Sequence, residues 1–365
     1  MLLNQVYWPD RAATAQMAHG LARSLVDEGF EVVAVAQKSG YEGSDSVLPS
    51  HEFVDGVEII RVGRSIFGRR FLPLRAIDIA RFWLILGFKA LTTRRVDVVV
   101  TFTTPPLIGL IGWLMRVFRG TRYVYWCMDL YPDIPITYGL LSSWNPIAWS
   151  WERLNRFSLR RADRVAVLGR CMGDQVVAKG VQKERLFDGG VWADGSEIDP
   201  VSRAENIFSK RWDIGERFVV MYSGNYGMGH EMETMLQAAE RMRERDDVVF
   251  LFVGGGTRKE SVEKFVQERS LPNAHCYPYQ DRSELGPLLS LADVHLITQL
   301  ESLTGMFVPS KTYGVMAAAR PAIYVGREDA EAARTLVEHD CGLVVRQGHP
   351  EALEAAIDAL AKDPE

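Results

Sequence analysis

Several features that mark particular protein classes are missing from this sequence. The 365 residues include only four cysteines, which are far apart and form no C-x-x-C pair, so neither a structural zinc site nor a disulfide framework is expected. Basic residues do not predominate, because 42 lysines and arginines stand against 47 aspartates and glutamates. The resulting net charge of −5 does not fit a general nucleic-acid binder. No G-x-x-x-x-G-K-[ST] sequence is present, which argues against a P-loop nucleotide triphosphatase.

Long apolar runs are also missing. The N-terminal run Met1–Trp8 has no basic start and is stopped by Pro9 and Asp10, so it predicts a strand and not a signal peptide. The longest apolar stretch, Pro105–Phe118, is interrupted by Arg116. Its length of about 14 residues is too short to span a bilayer, and it predicts a buried or interfacial helix.

The sequence does contain a regular alternation of β-rich apolar runs and helical periodicity. Strands are predicted at residues 2–8, 31–36, 96–102, 122–127, 164–168, 218–222, 248–253, 274–277, 294–297 and 322–325, and helices at 13–28, 107–118, 146–160, 232–245, 259–268, 283–291, 310–319, 330–338 and 351–361. This alternation is typical of βαβ units with parallel sheets that helices cover on both faces.

The alternation is interrupted once, between Leu186 and Phe218. We therefore predict an α/β protein with two Rossmann-like, doubly wound domains, one over residues 1–190 and one over residues 217–365, with a linker at 191–216. Ligands of open α/β sheets bind beyond the carboxyl ends of the strands, so two facing sheets are expected to form one cleft.

Charge is distributed unevenly along the chain. The stretch Arg61–Arg95 holds nine basic residues and one acidic residue, Asp78, interleaved with bulky apolar side chains. Such a composition is typical of a surface that lies on an anionic membrane, although a helix with a solvated basic face is an equally good interpretation.

The strongest local feature is a glycine loop between a predicted strand and a predicted helix. The strand at Val219–Tyr222 leads into Gly224, Gly227 and Gly229, which allow close approach of a ligand to the backbone at a helix N-terminus, where anions bind. The spacing is G-x-x-G-x-G and not G-x-G-x-x-G, and no acidic residue ends the next strand at Gly254–Gly256. An NAD-dependent dehydrogenase is therefore disfavoured, and a phosphate site is favoured.

A second candidate lies at Pro309-Ser310-Lys311, where a helix is predicted to begin with Ser310 as its N-cap. A lysine in the first turn opposes the helix dipole unless an anion is nearby. Lys311 is therefore a candidate phosphate ligand, with an exposed surface lysine as the alternative.

Together, six segments resemble retaining glycosyltransferases of family 4, which have the two-domain GT-B fold. The segments are Tyr7–Asp10, Trp126–Asp133, Arg161–Val165, Tyr222–Asn225, Val253–Gly256 and Pro309–Lys311. They occur in the family's order over nearly the whole chain. The likeness is greatest to the branch that builds bacterial O-antigen, capsule and exopolysaccharide.

The resemblance implies a role for each matching residue. Gly224 and Asn225 correspond to the loop under the donor diphosphate, and Ser310 and Lys311 to the helix start that faces it. The nucleobase and ribose are expected near Gly254, Gly255, Tyr279 and Gln280. From its place at the predicted helix start, His230 is a candidate phosphate contact, with a capping residue as the alternative. Asp129 is a candidate for orienting or deprotonating the acceptor, with a turn cap as the alternative. Lys311 is expected to stabilise the leaving diphosphate.

The sequence also departs from the family pattern. Asn225 and His230 stand where many members have arginine and lysine. Met306 and Gly314 stand where many have two glutamates eight residues apart, with Glu301 just upstream.

The resemblance implies a hexosyl- or N-acetylhexosaminyltransferase acting with retention on a UDP-sugar or GDP-sugar, with no metal ion or other cofactor required. The implied acceptor is a glycan, bound to a polyprenyl diphosphate, at the cytosolic face of the plasma membrane. The chain would then be a cytoplasmic protein held peripherally through Arg61–Arg95. Two alternatives stay open: a non-catalytic subunit that binds a nucleotide-sugar, and a nucleotide-sugar epimerase of the same fold.

Overall fold

The chain folds into two compact α/β units, Met1–Gly190 and Val191–Glu365. A computed structural model describes residues 1–10, 12–38, 48–64, 66, 72–195 and 198–362, apart from the side chains of residues 72, 73 and 75. Each unit contains one mostly or wholly parallel sheet, which confirms the predicted fold class.

The first unit is built on an eight-stranded sheet in the order β3-β4-β2-β1-β5-β6-β7-β8. Only β3 runs antiparallel to its neighbour, β4. The strands are β1 (Leu2–Leu3), β2 (Val33–Gln37), β3 (His51–Val54), β4 (Val57–Val62), β5 (Val98–Thr101), β6 (Arg122–Trp126), β7 (Arg164–Val167) and β8 (Leu186–Asp188). The helices are α1 (Ala13–Asp27), α2 (Leu72–Thr92), α3 (Gly109–Arg119), α4 (Asp133–Thr137), α5 (Pro146–Arg161) and α6 (Arg170–Ala178).

Helices α2, α3 and α5 form one layer on this sheet. They connect strands that follow one another in the same direction across the sheet, and right-handed crossovers place such helices on a single face. The rings of Trp113 in α3 and Phe157 in α5 lie 4.9 Å apart, edge to face. On the other side of α3, a Cβ added at Gly87 of α2 would lie 3.8 Å from the Ile111 side chain. Helix α1 connects strands in the opposite direction and therefore covers the other face.

The predicted apolar helix at residues 107–118 corresponds to α3, which buries Ile111 and Met115 and ends at Gly120 in a left-handed conformation. The sequence also marks the start of α5, where the Asn145 side chain accepts a hydrogen bond from the Ile147 N–H at 2.9 Å and Pro146 takes the first helical position. None of the described helices is both long enough and apolar enough to cross a membrane.

In the described part of Arg61–Arg95, the basic side chains differ in exposure: Arg64, Arg94 and Arg95 are exposed, and Arg61 is buried. The Arg61 guanidinium, on the inner strand β4, is buried, pairs with Glu52 and donates to the Trp8 carbonyl at 2.5 Å. Arg94 pairs with Glu31 at 3.1 Å and Glu58 at 3.6 Å. Arg69, Arg70 and the Arg75 side chain lie outside the described residues. The exposed large side chains of α2 are apolar: Ile77, Leu84 and Phe88.

The second unit is built on a six-stranded, all-parallel sheet in the order β11-β10-β9-β12-β13-β14. The strands are β9 (Phe218–Asn225), β10 (Val248–Gly255), β11 (Ala274–Tyr277), β12 (Val294–Thr298), β13 (Ala322–Val325) and β14 (Gly342–Val345). The helices are α7 (Ile207–Arg211), α8 (Glu233–Arg241), α9 (Lys259–Glu268), α10 (Leu285–Leu291), α11 (Lys311–Ala317), α12 (Glu331–Glu338) and α13 (Pro350–Lys362). Strands β10 and β12 are wholly buried and β9 is buried over Val219–Tyr222, because apolar clusters cover both faces of the sheet.

Residues 191–216, predicted as a linker, pack on the second unit. Phe208 of α7 is fully buried in a cluster with Val219 and Leu251 of the sheet. The Asn206 side chain caps α7 and donates to the Pro287 carbonyl at 2.7 Å, and Arg203 pairs with Asp293.

Candidate functional site

The candidate site lies at the carboxyl edge of the sheet in the second unit, where the strand order reverses. From β9 the chain continues to β10 and β11 on one side, and then crosses to β12, β13 and β14 on the other. In open α/β sheets such a switch point leaves a crevice beyond the strand ends, and this crevice is the usual ligand site. It lies between the ends of β9 and β12.

Three glycines pack closely where β9 and β10 end. Gly224 and Gly254 are register partners in the parallel ladder, and both have left-handed φ values, +124° and +141°. A Cβ on Gly254 would lie 1.9 Å from the Gly224 carbonyl oxygen. A Cβ on Gly256 would lie 2.3 Å from the Asn225 side-chain oxygen. Only glycine therefore allows the two strand ends to approach this closely.

Lys311 extends from the start of α11 to this glycine pair. Its Nζ lies 3.6 Å from the centroid of the Tyr222 ring and would be 3.5 Å from a Cβ on Gly224. The Nζ is buried and has no hydrogen-bond partner among the described residues, although part of the side chain reaches solvent. Burial lowers its pKa from 10.5 to about 7. An ammonium group held in this way lacks a counter-charge, which a bound anion would supply.

A second cation lies near the same loop. Arg258 follows the glycines of β10, and its Nη1 donates to the His230 carbonyl at 3.1 Å. Arg258 was not predicted as a site residue, because it is one of several charged residues at the predicted start of a helix. Its position at the strand end could have been found from the glycine run that precedes it. Tyr222, which lies under the ammonium of Lys311, was predicted as the end of a strand and as part of the segment Tyr222–Asn225 that carries the family resemblance, with no role of its own.

His230 lies in the loop but is engaged by the protein. Its Nδ1 donates to the Thr298 carbonyl at the end of β12, at 2.7 Å. Burial, and next the nearby positive charge of Lys311, lower the pKa of His230 to about 3. The imidazole is therefore neutral near pH 7, and it joins the loop after β9 to the end of β12.

The other residues that were predicted to bind the donor differ in their contacts and exposure. The Tyr279 ring lies over Gly255, and its hydroxyl donates to the Gly255 carbonyl at 3.3 Å, so these two residues form one surface beyond β10. The Gln280 side chain donates to the Pro278 carbonyl in its own loop at 2.7 Å. Asn225 is exposed next to Gly256. Ser310 occupies the N-cap of α11, but its side chain makes no capping hydrogen bond and is exposed.

Uncharged residues, Gly314 and Met306, occupy the positions of the two family glutamates. A Cβ on Gly314 would lie 3.6 Å from Leu289 and 3.9 Å from Ile198, both apolar. Met306 lies in the loop between β12 and α11, and the backbone N–H of the nearby Glu301 donates to Gln347 at 3.2 Å.

Asp129 belongs to the first unit, just beyond the carboxyl end of β6. Its surroundings raise its pKa from 3.8 to about 6 through burial. No ion pair described in the structure involves its carboxylate. It is therefore a carboxyl group that takes up and releases a proton near neutrality, at the edge of the sheet where ligands of such folds bind. Among the described residues, no group of three or more histidine, cysteine and acidic side chains could hold a metal ion.

Both halves of the chain match known glycosyltransferase families. Residues 13–187 match a glycosyl transferase 4-like domain, and residues 217–363 match the glycosyl transferases group 1. The probable glycosyltransferase WbjE of Pseudomonas aeruginosa is 30% identical over 270 residues, covering 74% of this chain and 67% of that protein. The putative colanic acid biosynthesis glycosyl transferase WcaI of Escherichia coli is 26% identical over 297 residues, covering 80% and 71%.

Solved structures show the same fold. Sucrose-phosphate synthase from Thermosynechococcus elongatus superposes with a TM-score of 0.75 at 18% identity, covering 100% of this chain and 90% of that one. Anabaena HepE, solved in complex with UDP-glucose, has a TM-score of 0.70 at 14% identity, covering 99% and 89%. WaaG, a glycosyltransferase involved in lipopolysaccharide biosynthesis, has a TM-score of 0.70 at 15% identity, covering 100% and 90%. The chain therefore belongs to family 4 of the GT-B glycosyltransferases.

Proposed function

We propose that this chain transfers a sugar from a nucleoside-diphosphate donor to a glycan acceptor with retention at the anomeric carbon. The observation that carries the proposal is the buried Nζ of Lys311, which has no hydrogen-bond partner among the described residues and lies over the Tyr222 ring and against Gly224. Arg258 adds positive charge on the other side of the loop. Among the described residues, the one substantially buried carboxylate beside this loop is Glu231, which accepts the Thr234 N–H at 3.0 Å. An anionic ligand is therefore favoured at Gly224.

The reaction itself requires this charge. The bond between the anomeric carbon and the diphosphate oxygen breaks, and its electron pair leaves with the diphosphate. The acceptor hydroxyl forms the new bond on the same face, and its proton passes either to a departing phosphate oxygen or to the Asp129 carboxylate, which then releases it to solvent. Lys311 and the backbone at Gly224 would stabilise the charge that develops on the leaving group, which is the largest contribution a preorganised site can make.

The stacked surface of Tyr279 and Gly255 would hold the nucleoside, with Gln280 at its edge. We propose a uridine or guanosine diphosphate donor carrying a hexose or N-acetylhexosamine. The complex of HepE with UDP-glucose favours uridine. The chemistry assigned to these residues involves no metal ion or other cofactor.

The acceptor is proposed to be a glycan on a polyprenyl diphosphate, and the process polysaccharide biosynthesis at the cytosolic membrane face. The supporting observations are the colanic acid role given to WcaI and the lipopolysaccharide role given to WaaG.

Thermal unfolding with a panel of nucleotides tests the donor site. We expect UDP or GDP to raise the melting temperature, because a ligand at a hundred times its Kd adds about 2.7 kcal/mol to the stability of the native state. The matching nucleoside monophosphates and inorganic phosphate are the controls, and both should have a much smaller effect. A folded protein that responds to no nucleoside diphosphate would contradict the donor-site assignment.

Asp129 is proposed to orient or deprotonate the acceptor hydroxyl. Asp129→Asn should lower the rate of nucleoside-diphosphate release from the donor by about a hundredfold or more, since general-base catalysis contributes about 10²–10⁴. The wild-type rate should rise with pH through about 6, where Asp129 loses its proton, and the variant should lack this rise. Asp97→Asn, an exposed carboxylate of the same unit, is the control. A full rate in Asp129→Asn would leave Asp129 as a turn residue only.

A non-catalytic nucleotide-sugar-binding subunit is the second candidate. Gly314 and Met306, at the positions of the two family glutamates, favour it. Donor binding without any release of nucleoside diphosphate would select it.

A further inference from the structure

The outer surface of the α2, α3 and α5 layer exposes an unusual number of large apolar side chains. On α2 they follow a helical stripe, with Phe88 72% exposed, and on α3 they lie near its C-terminal end. The set is Ile77, Leu84 and Phe88 on α2, Val117 and Phe118 on α3, and Ile147, Trp149 and Leu154 on α5. Scattered exposed residues are ordinary in proteins, but a shared outer face on three packed helices indicates an interaction surface.

The most exposed part of this surface is the corner between α4 and α5, which we call the tryptophan corner and define as Leu140, Trp144, Ile147 and Trp149. Trp144 is 93% exposed, and the other three are 63% to 68% exposed. The corner is held in place, because Asn145 between the tryptophans caps α5 at 2.9 Å. Both tryptophan rings are therefore held on a fixed helix start with most of their surface exposed.

Positive charge lines the same face of α5. The Arg153 guanidinium lies over the Trp149 ring at 5.2 Å, and that of Arg161 lies over Phe157 at 5.3 Å. Arg160 is also exposed. The single carboxylate of α5, Glu152, is engaged by Lys179 at 2.9 Å and by Arg156 at 2.5 Å. The face is therefore apolar and basic.

We propose that this face docks on an anionic lipid bilayer, with the tryptophan corner inserted at the boundary between headgroups and acyl chains. The inference rests on the proposed membrane association, but assigns it to the exposed apolar side chains of α2, α3 and α5 and the arginines of α5, and not to the basic residues of Arg61–Arg95. Tryptophan is enriched at membrane interfaces, and basic groups beside it attract anionic headgroups. The combination of apolar and cationic groups favours a bilayer over a second copy of this chain, whose identical face would bring like charges together.

Binding to lipid vesicles tests the proposal. The full chain is sedimented with vesicles of phosphatidylcholine alone and with an equimolar mixture of phosphatidylcholine and phosphatidylglycerol. We expect binding to the mixed vesicles, and about tenfold or greater weakening in the double variant Trp144→Ser, Trp149→Ser. Phe30→Ser, which removes another exposed aromatic ring of the same unit, is the control and should bind like the wild type. All variants should keep the wild-type melting temperature, because the altered side chains are exposed.

The outcomes are distinguishable. Equal vesicle binding by the wild type and the double variant would overturn the role of the tryptophan corner while leaving membrane association in place. No binding by the wild type would overturn both. Sedimentation equilibrium without lipid tests whether the face joins two copies of the chain instead. If the wild type binds no vesicles but self-associates, and the double variant does not self-associate, the face is an interface between copies. None of these results bears on the nucleotide response, which tests the donor site separately.

Discussion

Lys311→Met is expected to stabilise the protein without ligand and to abolish its response to nucleoside diphosphates. The ammonium is buried against Tyr222 and Gly224 with no hydrogen-bond partner among the described residues, so the folded state carries the cost of its desolvation. Methionine has a similar length and no charge. Removing the cation should therefore raise the free energy of unfolding and weaken the binding of an anion.

The size and pH dependence of the effect follow from the pKa of Lys311, which falls from 10.5 to about 7 through burial. We expect a gain of about 2 kcal/mol at neutral pH, less than the full shift implies, because the ring of Tyr222 and partial solvent contact already stabilise the cation. Between pH 7 and 10.5 the unfolded wild-type chain binds more protons than the folded one, so wild-type stability rises with pH. The advantage of the variant should be greatest at and below pH 7 and should disappear near pH 10.5.

Urea unfolding across this pH range, with and without UDP or GDP, measures both effects. Lys264→Met is the matched control, because the Lys264 side chain is 68% exposed and forms only a surface pair with Glu268. It should change the free energy of unfolding by less than about 0.5 kcal/mol and keep the nucleotide response. A loss of stability in Lys311→Met, with nucleotide binding retained, would show that Lys311 is structural.

Gly254→Ala should destabilise the second unit strongly. The new methyl group would lie 1.9 Å from the Gly224 carbonyl oxygen, at a φ of +141°. Two backbones in adjacent strands cannot separate without breaking the ladder between β9 and β10, so we expect a loss of about 3 kcal/mol or more in the free energy of unfolding. The nucleotide response should fall with it, since the displaced carbonyl belongs to Gly224.

The control for Gly254→Ala must have backbone strain without a clash. Gly348 has a φ of +81°, and no heavy atom lies within 4 Å of its Cβ position. Gly348→Ala should cost about 1 kcal/mol, from the left-handed conformation alone. Equal losses in the two variants would show that the contact between the strand ends does not matter.

The elements that hold the donor site were predictable because they are buried on both sides. Continuous apolar runs predicted β9, β10 and β12, although β9 and β10 continue two or three residues past their predicted ends, through Gly224 and Gly255. The hairpin of β3 and β4 was not predicted, although the Asp55-Gly56 pair at its turn is a common hairpin signal. Both residues have positive φ, as this type of turn requires. Helix α2 was predicted only as a basic surface, because composition does not tell which side of a helix faces water.

Individual contacts in the site were less predictable than its location. Lys311 was chosen for its place in a helix start, but the stacking on Tyr222 depends on how far α11 leans over β9, which no local pattern encodes. Arg258 was missed for the same reason. The hydrogen bond between His230 and Thr298 joins residues 68 positions apart in sequence and follows from the adjacency of β9 and β12.

The Lys311 ammonium, which has no hydrogen-bond partner among the described residues, affects any selection of heat-resistant variants of this protein. A screen that scores only survival after heating would reward replacement of Lys311 by a neutral side chain. Variants selected in this way would lose affinity for the nucleotide while their thermal stability increased. Adding the nucleotide during each round of heating would reverse that pressure, because the occupied site turns the same lysine into a stabilising group.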